Sequence, residues 1–195
     1  MILLDTHPLL LIDEFVGHLG KEVIFRFSRY PSASQVDPDP GDTLSVDGKD
    51  LCKSWLEATL DSLKPSEELA LHSDVQVGRQ RLHIPMVDFR SRSRAPEIER
   101  QILSFLSEDL PTELYIFDSG RSFHGYGTNF LQPDQWAAFM GLLLLLNPRD
   151  EMGCIDSRWV GHRLIDGYAT LRWSCNTDDY QYLPSLVDTY GVVGS

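Results

Sequence analysis

The stretch LYIFDSGRSFHGYG, residues 114–127, constrains the fold more than any other part of the chain. An apolar run of Leu, Tyr, Ile and Phe breaks at Asp-Ser-Gly-Arg and resumes at once as Ser-Phe-His-Gly-Tyr-Gly. That pattern reads as strand, short turn, strand, and a hairpin pairs its strands antiparallel. Elsewhere strand-like and helix-like patterns interleave. PLLLIDEFVGHLG has helical spacing and ends in Gly20, KEVIFRFSRY reads as a strand with Phe25 and Phe27 on one face, and PSASQVDPDPGDTLSVDGKD reads as a long acidic loop. DLCKSWLEATLDSLK is an amphipathic helix that turns Leu51, Trp55, Leu56, Leu60 and Leu63 to the core and ends before Pro65. RLHIPMVDFRS is a strand that Pro85 demotes to an edge or bulged position, and APEIERQILSFLSEDL follows as a helix with Pro96 in its first turn. QPDQWAAFMGLLLLLN reads as a buried helix stopped by Asn147-Pro148, GYATLRWSCN alternates as a strand, and DDYQYLPSLVDTYGVVGS is too irregular to assign. Interleaved strands and helices with a hairpin among them point to an α+β domain rather than a doubly wound parallel sheet.

With 195 residues, 42% of them apolar and 24% charged, the chain is long enough for a substantial core in one domain. That domain is expected over residues 1–195, with an N-terminal α/β lobe at 1–80 and a motif-bearing lobe at 81–180. The start, MILLDTHPLLLIDEF, has no basic flank and is interrupted by Asp5, Asp13 and Glu14, and GLLLLL at 141–146 is too short to span a bilayer. No membrane association and a cytoplasmic location are therefore expected. Cys52, Cys154 and Cys175, odd in number and far apart, fit reduced thiols that pack in the interior better than a disulfide frame or a zinc site.

A net charge of −12 excludes a protein whose whole surface grips nucleic acid, because phosphate contacts need Lys and Arg. The charge is uneven. Residues 1–78 hold six Lys/Arg against fourteen Asp/Glu, residues 79–109 six against five, and residues 110–195 five against ten. In the middle stretch Arg79, Arg81, Arg90, Arg92 and Arg94 surround one acid, Asp88, as either a solvated arginine face or a phosphate-facing one.

Three segments combine acids, histidine or arginine with an apolar strand: PMVDFRS, SGRSFH and CIDSRWVGHRLIDGYATLRW. In a strand Ser122, His124 and Tyr126 share one face, as a site or as the wet face of a sheet. Asp88 and Asp156, at strand ends, suit a hard divalent cation such as Mg²⁺ or Mn²⁺; the alternative is pairing with an arginine, Asp156 with Arg158 for example. His162 either completes a metal shell or is an ordinary strand or turn histidine, and His83 reads as structural. Gly120, Gly125 and Gly127 fit turns or close approach of backbone to a ligand.

An apolar strand ending in Asp, a Ser-x-His on a hairpin, and an apolar-Asp followed about 16 residues later by a strand arginine together resemble the catalytic core of the archaeo-eukaryotic primase (primase-polymerase) superfamily, in a bacterial primase-like branch. VDF at 87–89 is similar to its first motif, Ser122-Phe123-His124 to its second, and Asp156 with Arg172 to its third and the strand behind it. The resemblance implies an RRM-like antiparallel sheet flanked by helices and a nucleotidyltransferase acting on nucleoside triphosphates and nucleic acid. It assigns Asp88 and Asp156 to catalysis through one or two divalent ions, which neutralise charge and position groups. It assigns Arg121, Ser122, His124 and Arg172 to the nucleotide phosphates, where a protonated histidine and an arginine bind well. The partners it implies are a nucleoside triphosphate, a DNA or RNA template, and a protein partner or fused helicase or nuclease subunit, in replication, repair or defence against mobile DNA.

One departure is plain. Active members carry two acids one residue apart in the first motif, and the residue two after Asp88 is Arg90. That leaves two further readings: a degenerate primase-like module that binds nucleotide, nucleic-acid ends or protein without polymerising, and a metal-dependent phosphoesterase using Asp88, His124, Asp156 and His162.

Overall fold

Alternation in VIFRFSRY places Phe25 and Phe27, both fully buried, on the same side of strand β1 (Val23–Pro31). The computed structural model describes residues 5–31, 42–90, 96–106, 112–147 and 153–191. Against that apolar face lie helix α1 (Leu11–Leu19), ended by Gly20 as its sequence predicts, and helix α2 (Lys53–Asp61). Phe15 of α1 stacks on Phe25 at 6.5 Å between ring centroids, while Trp55 of α2 and Trp173 meet Phe27 at 5.0 and 5.1 Å.

β1 is the hub of a six-stranded sheet. It pairs with β2 (Thr43–Asp47), along its second half with β3 (Glu67–His72), and at its start with β4 (Asp74–Val77). β5 (Gln80–His83) extends from β4, and β9 (Thr170–Arg172) from β3. A second sheet has the order β10-β7-β8-β6, from β6 (Met86–Asp88), β7 (Glu113–Asp118), β8 (Phe123–Gly127) and β10 (Ser185–Gly191). Every strand pair among the described residues is antiparallel, so the α+β reading holds.

Several local expectations change. RLHIPMVDFRS is two strands, not one: β5 ends at His83 in the first sheet and β6 begins at Met86 in the second. Pro85, which has no N–H to donate to a ladder, sits at the crossing and accepts from the Gly127 amide at 2.9 Å. Within the expected acidic loop, residues 32–41 lie outside the described residues, but Thr43–Asp47 is β2, because pairing with β1 overrides a turn-rich neighbourhood. The unassigned tail contains β10, which lines up with β7 across a register shift between Leu186 and Asp188. The division expected at residue 80 falls in the β4–β5 hairpin, and β9 from beyond it joins the first sheet.

Helix α3 (Pro96–Leu106) packs on the second sheet, where a Cβ on Gly127 would lie 2.9 Å from Leu106 Cδ1; this glycine makes room for a helix, not for a ligand. Helix α4 (Pro133–Leu145) buries Trp136, Phe139, Met140 and Leu143, and packs beside α5 (Ser157–Asp166). No helix among the described residues is long and apolar enough to cross a membrane. All three cysteines are free, and Cys52 is exposed rather than a packing residue.

Candidate functional site

The second sheet sets the first two motifs side by side. Asp88 at the end of β6 lies opposite His124 of β8, which lies opposite Phe117 of β7. Residues directly opposite in an antiparallel pair share a face, and His124 Nε2 is 3.9 Å from Asp88 Oδ1. Just past Asp88 the chain pairs again: Phe89 bridges Ile155, the Arg90 amide donates to the Cys154 carbonyl at 2.7 Å, and the Asp156 amide donates to the Asp88 carbonyl at 3.0 Å. Asn147 holds Ile155 through both its amide nitrogen and its carbonyl oxygen. Backbone bonding thus brings Asp156 beside Asp88 across 68 positions of sequence. Asp156 also caps α5, its Oδ1 accepting from the Arg158 and Trp159 amides at 2.9 and 3.1 Å.

The first sheet contributes the opposite charge. Arg172, on β9, is buried and donates to the Ser119 carbonyl, its guanidinium carbon lies 3.7 Å from the Tyr180 ring centroid, and its Nε and Nη1 have no hydrogen-bond partner among the described residues. Ser119 belongs to the hairpin turn, where Gly120 takes φ +92°, a left-handed conformation that suits glycine. There the Ser119 amide and hydroxyl donate to the Ser122 carbonyl, each at 2.9 Å. Arg121 is exposed at the rim, 5.6 Å from the Tyr180 ring.

These charges reshape the titrating groups. Burial, with the Asp156 charge adding to it, raises the Asp88 carboxyl to about 7, although Arg121, Arg163 and Arg172 pull the other way. Burial and then the Arg172 charge lower His124 to about 3. Both effects favour the neutral imidazole in the free protein. Its Nδ1 is buried without a partner among the described residues.

Asp88, His124, Asp156, Arg172 and Arg121 thus gather where the two sheets meet. Ser122 lies in the turn rather than on β8, with its hydroxyl 3.3 Å from that of Ser119, so the shared face expected for Ser122, His124 and Tyr126 holds only for the latter two. The Tyr126 hydroxyl accepts from Trp173 Nε1 at 3.2 Å and belongs to the core. Asp156 meets the backbone of Arg158, not its guanidinium. His162 is neither strand nor turn; it is exposed on α5, so the four-residue hydrolytic set does not assemble. His83 is structural, stacked on Trp136 at 4.7 Å. Arg81 reaches Asp74 and the Gly167 carbonyl, Arg90 is exposed, and Arg92 and Arg94 lie outside the described residues. Sequence reasoning missed Tyr180, Ser119 and Glu68, whose roles arise from tertiary contacts. Among the described residues no group of three or more His, Cys, Asp or Glu is placed to hold a metal ion.

A family model described as archaeo-eukaryotic primase 1D-like matches residues 47–185. No curated protein and no solved structure matches the chain.

Proposed function

Because the chain belongs to the archaeo-eukaryotic primase 1D-like family, we propose that it is a metal-dependent nucleotidyltransferase domain of the primase-polymerase type that binds a nucleoside triphosphate where its two sheets meet. One observation carries the reading: Asp88 and Asp156, from distant segments, lie side by side without a neutralising ion pair among the described residues, close to a buried arginine with two unpartnered donors. Two adjacent carboxylates, one of which holds a proton near neutrality because of its burial and, secondarily, the charge of the other, fit a single hard cation. A divalent ion bound there would supply charge neutralisation for the triphosphate and for an attacking hydroxyl. Arg172 and Arg121 would bind phosphate oxygens, Ser122 would donate its hydroxyl, and His124 would take part as a neutral hydrogen-bonding group. Asp88 would release its proton as the cation binds, so loading should strengthen as pH rises through about 7.

The experiment is primer extension and triphosphate binding by the chain with Mn²⁺, against Asp88→Asn and Asp156→Asn. Loss of both activities in both variants supports the reading; undiminished activity in either refutes it. A second reading, binding without polymerisation, is favoured by exposed Arg90 at the place of a second first-motif acid. Tight triphosphate binding with no extension on any DNA or RNA template would select it. Under the polymerising reading, the acidic chain requires a basic partner protein or fused subunit to hold template.

A further inference from the structure

A buried guanidinium beside two carboxylates ordinarily closes onto them, yet among the described residues Arg172 makes no ion pair with Asp88 or Asp156 and keeps Nε and Nη1 unpartnered. Two contacts hold it away. One N–H goes to the Ser119 carbonyl, and its carbon sits 3.7 Å over the Tyr180 ring. A cation so placed is attracted to the aromatic face, more strongly once water is excluded.

The segment that carries Tyr180 is anchored near its start by a carboxylate that makes no ion pair among the described residues. Segment 173–182 has neither helix nor strand. Near its start the fully buried Glu68 accepts from the Ser174 hydroxyl, from the Asn176 amide at 3.0 Å and from the Thr177 hydroxyl at 2.7 Å. The Asn176 side chain adds bonds to the Lys64 and Glu67 carbonyls at 2.8 and 2.9 Å. At the other end the Tyr182 hydroxyl donates to Asp118 Oδ2 at 2.9 Å, which ties the segment to the same hairpin turn that holds Ser119. Within it, Cys175 Sγ donates to the Tyr180 carbonyl at 3.4 Å. The segment that carries the ring is thus tied near both ends to groups of both sheets.

Resting on the reading of the cleft as a phosphate site, we propose that Tyr180 is a positioning residue for Arg172 and that Glu68 is the anchor that sets Tyr180, so that two Arg172 donors stay open for an oligophosphate anion. Nothing in the sequence pattern singles out either residue. Without the ring, Arg172 is free to swing toward Asp88 and Asp156 and to neutralise them, which would remove both the anion seat and the cation seat.

Calorimetry of the full chain with inorganic triphosphate in the presence of Mn²⁺ tests this. Tyr180→Leu keeps apolar bulk but no aromatic face and should weaken binding about tenfold, while Tyr180→Phe should stay within about twofold of wild type because the face remains. Glu68→Gln should weaken binding in the same direction, as should the milder Thr177→Val, which removes one of the anchor's bonds; melting curves identify the folded variants. If Arg172→Ala abolishes binding but Tyr180→Leu binds as wild type does, the positioning role is overturned and the phosphate site stands. If wild type does not bind, or Arg172→Ala binds equally well, the phosphate site fails and the positioning role with it.

Discussion

Replacing Asp88 with Asn should stabilise the protein, and only above a definite pH. The carboxyl is raised from 3.8 to about 7 by burial and by Asp156. Below about pH 4 it is protonated in both the folded and unfolded chain and contributes nothing. Between there and about 7 the unfolded chain has lost the proton and the folded one keeps it, so stability falls as pH rises; above about 7 both are ionised and the penalty is constant. At roughly 1.4 kcal/mol per pH unit, a rise of about 3 units sets a ceiling of about 4 kcal/mol. The side chain keeps 23% of its surface open to solvent, so about 2–3 kcal/mol is the working figure after screening.

Asparagine is close in shape to the protonated acid. Urea unfolding of wild type and Asp88→Asn at pH 4.5, 6 and 8.5, with chelator present, isolates this group and its coupling to Asp156, because titrations remote from the pair cancel in the difference. The variant should exceed wild type by less than about 1 kcal/mol at pH 4.5 and by about 2–3 kcal/mol at pH 8.5, while Mn²⁺ should stabilise wild type alone. A difference that does not change with pH, or a variant less stable than wild type at pH 8.5, would refute the picture of two unneutralised carboxylates.

Arg90→Asp should raise Mn²⁺ affinity by adding a third carboxylate next to Asp88 and Asp156, read by calorimetry; an unchanged or lower affinity counts against position 90 as the missing ligand. His124→Ala should weaken triphosphate binding about fivefold, as loss of a neutral hydrogen bond does, and by the same factor at pH 6 and pH 8, since the imidazole is neutral at both. With its folded value near 3, below the ordinary 6.5, His124 contributes stability that is present above about 6.5 and lost as pH falls toward 3. His124→Gln should accordingly flatten the acid limb of the stability profile. Gly127→Ala would put a Cβ 2.9 Å from Leu106 Cδ1 and 3.1 Å from Pro85 Cβ, an overpacking that should cost about 1–3 kcal/mol in urea unfolding.

The hairpin, the helices α1 to α4 and the strand-end position of Asp88 were legible because each is a short pattern local in the sequence. The β3–β4 stretch EELALHSDV was not, since its apolar residues meet buried Glu68, His72 and Asp74, whose partners are remote in sequence. α5 was misread as strand or turn despite a local signal: Asp156 caps its first turn and Gly167 closes it at φ +75°. The resemblance singled out Asp88, His124, Asp156 and Arg172, which the fold brings to one place. It said nothing of the protonation of His124, which depends on burial depth and on an arginine from the other sheet.

The two sheets bring opposite charges to one place and leave them apart. The second sheet and the segment bridged to it bring Asp88 and Asp156, which raise each other's energy; the first sheet brings Arg172, held by Tyr180 and Ser119 with donors unpartnered. A protein selected for stability alone would join these groups in an ion pair, because a buried charge without a partner is costly. A free anion would satisfy Arg172 but repel the carboxylates, and a free cation would do the reverse. A complex of a divalent cation with an oligophosphate satisfies both at once, which is why the separated charges favour such a complex over either ion alone as the occupant of the cleft.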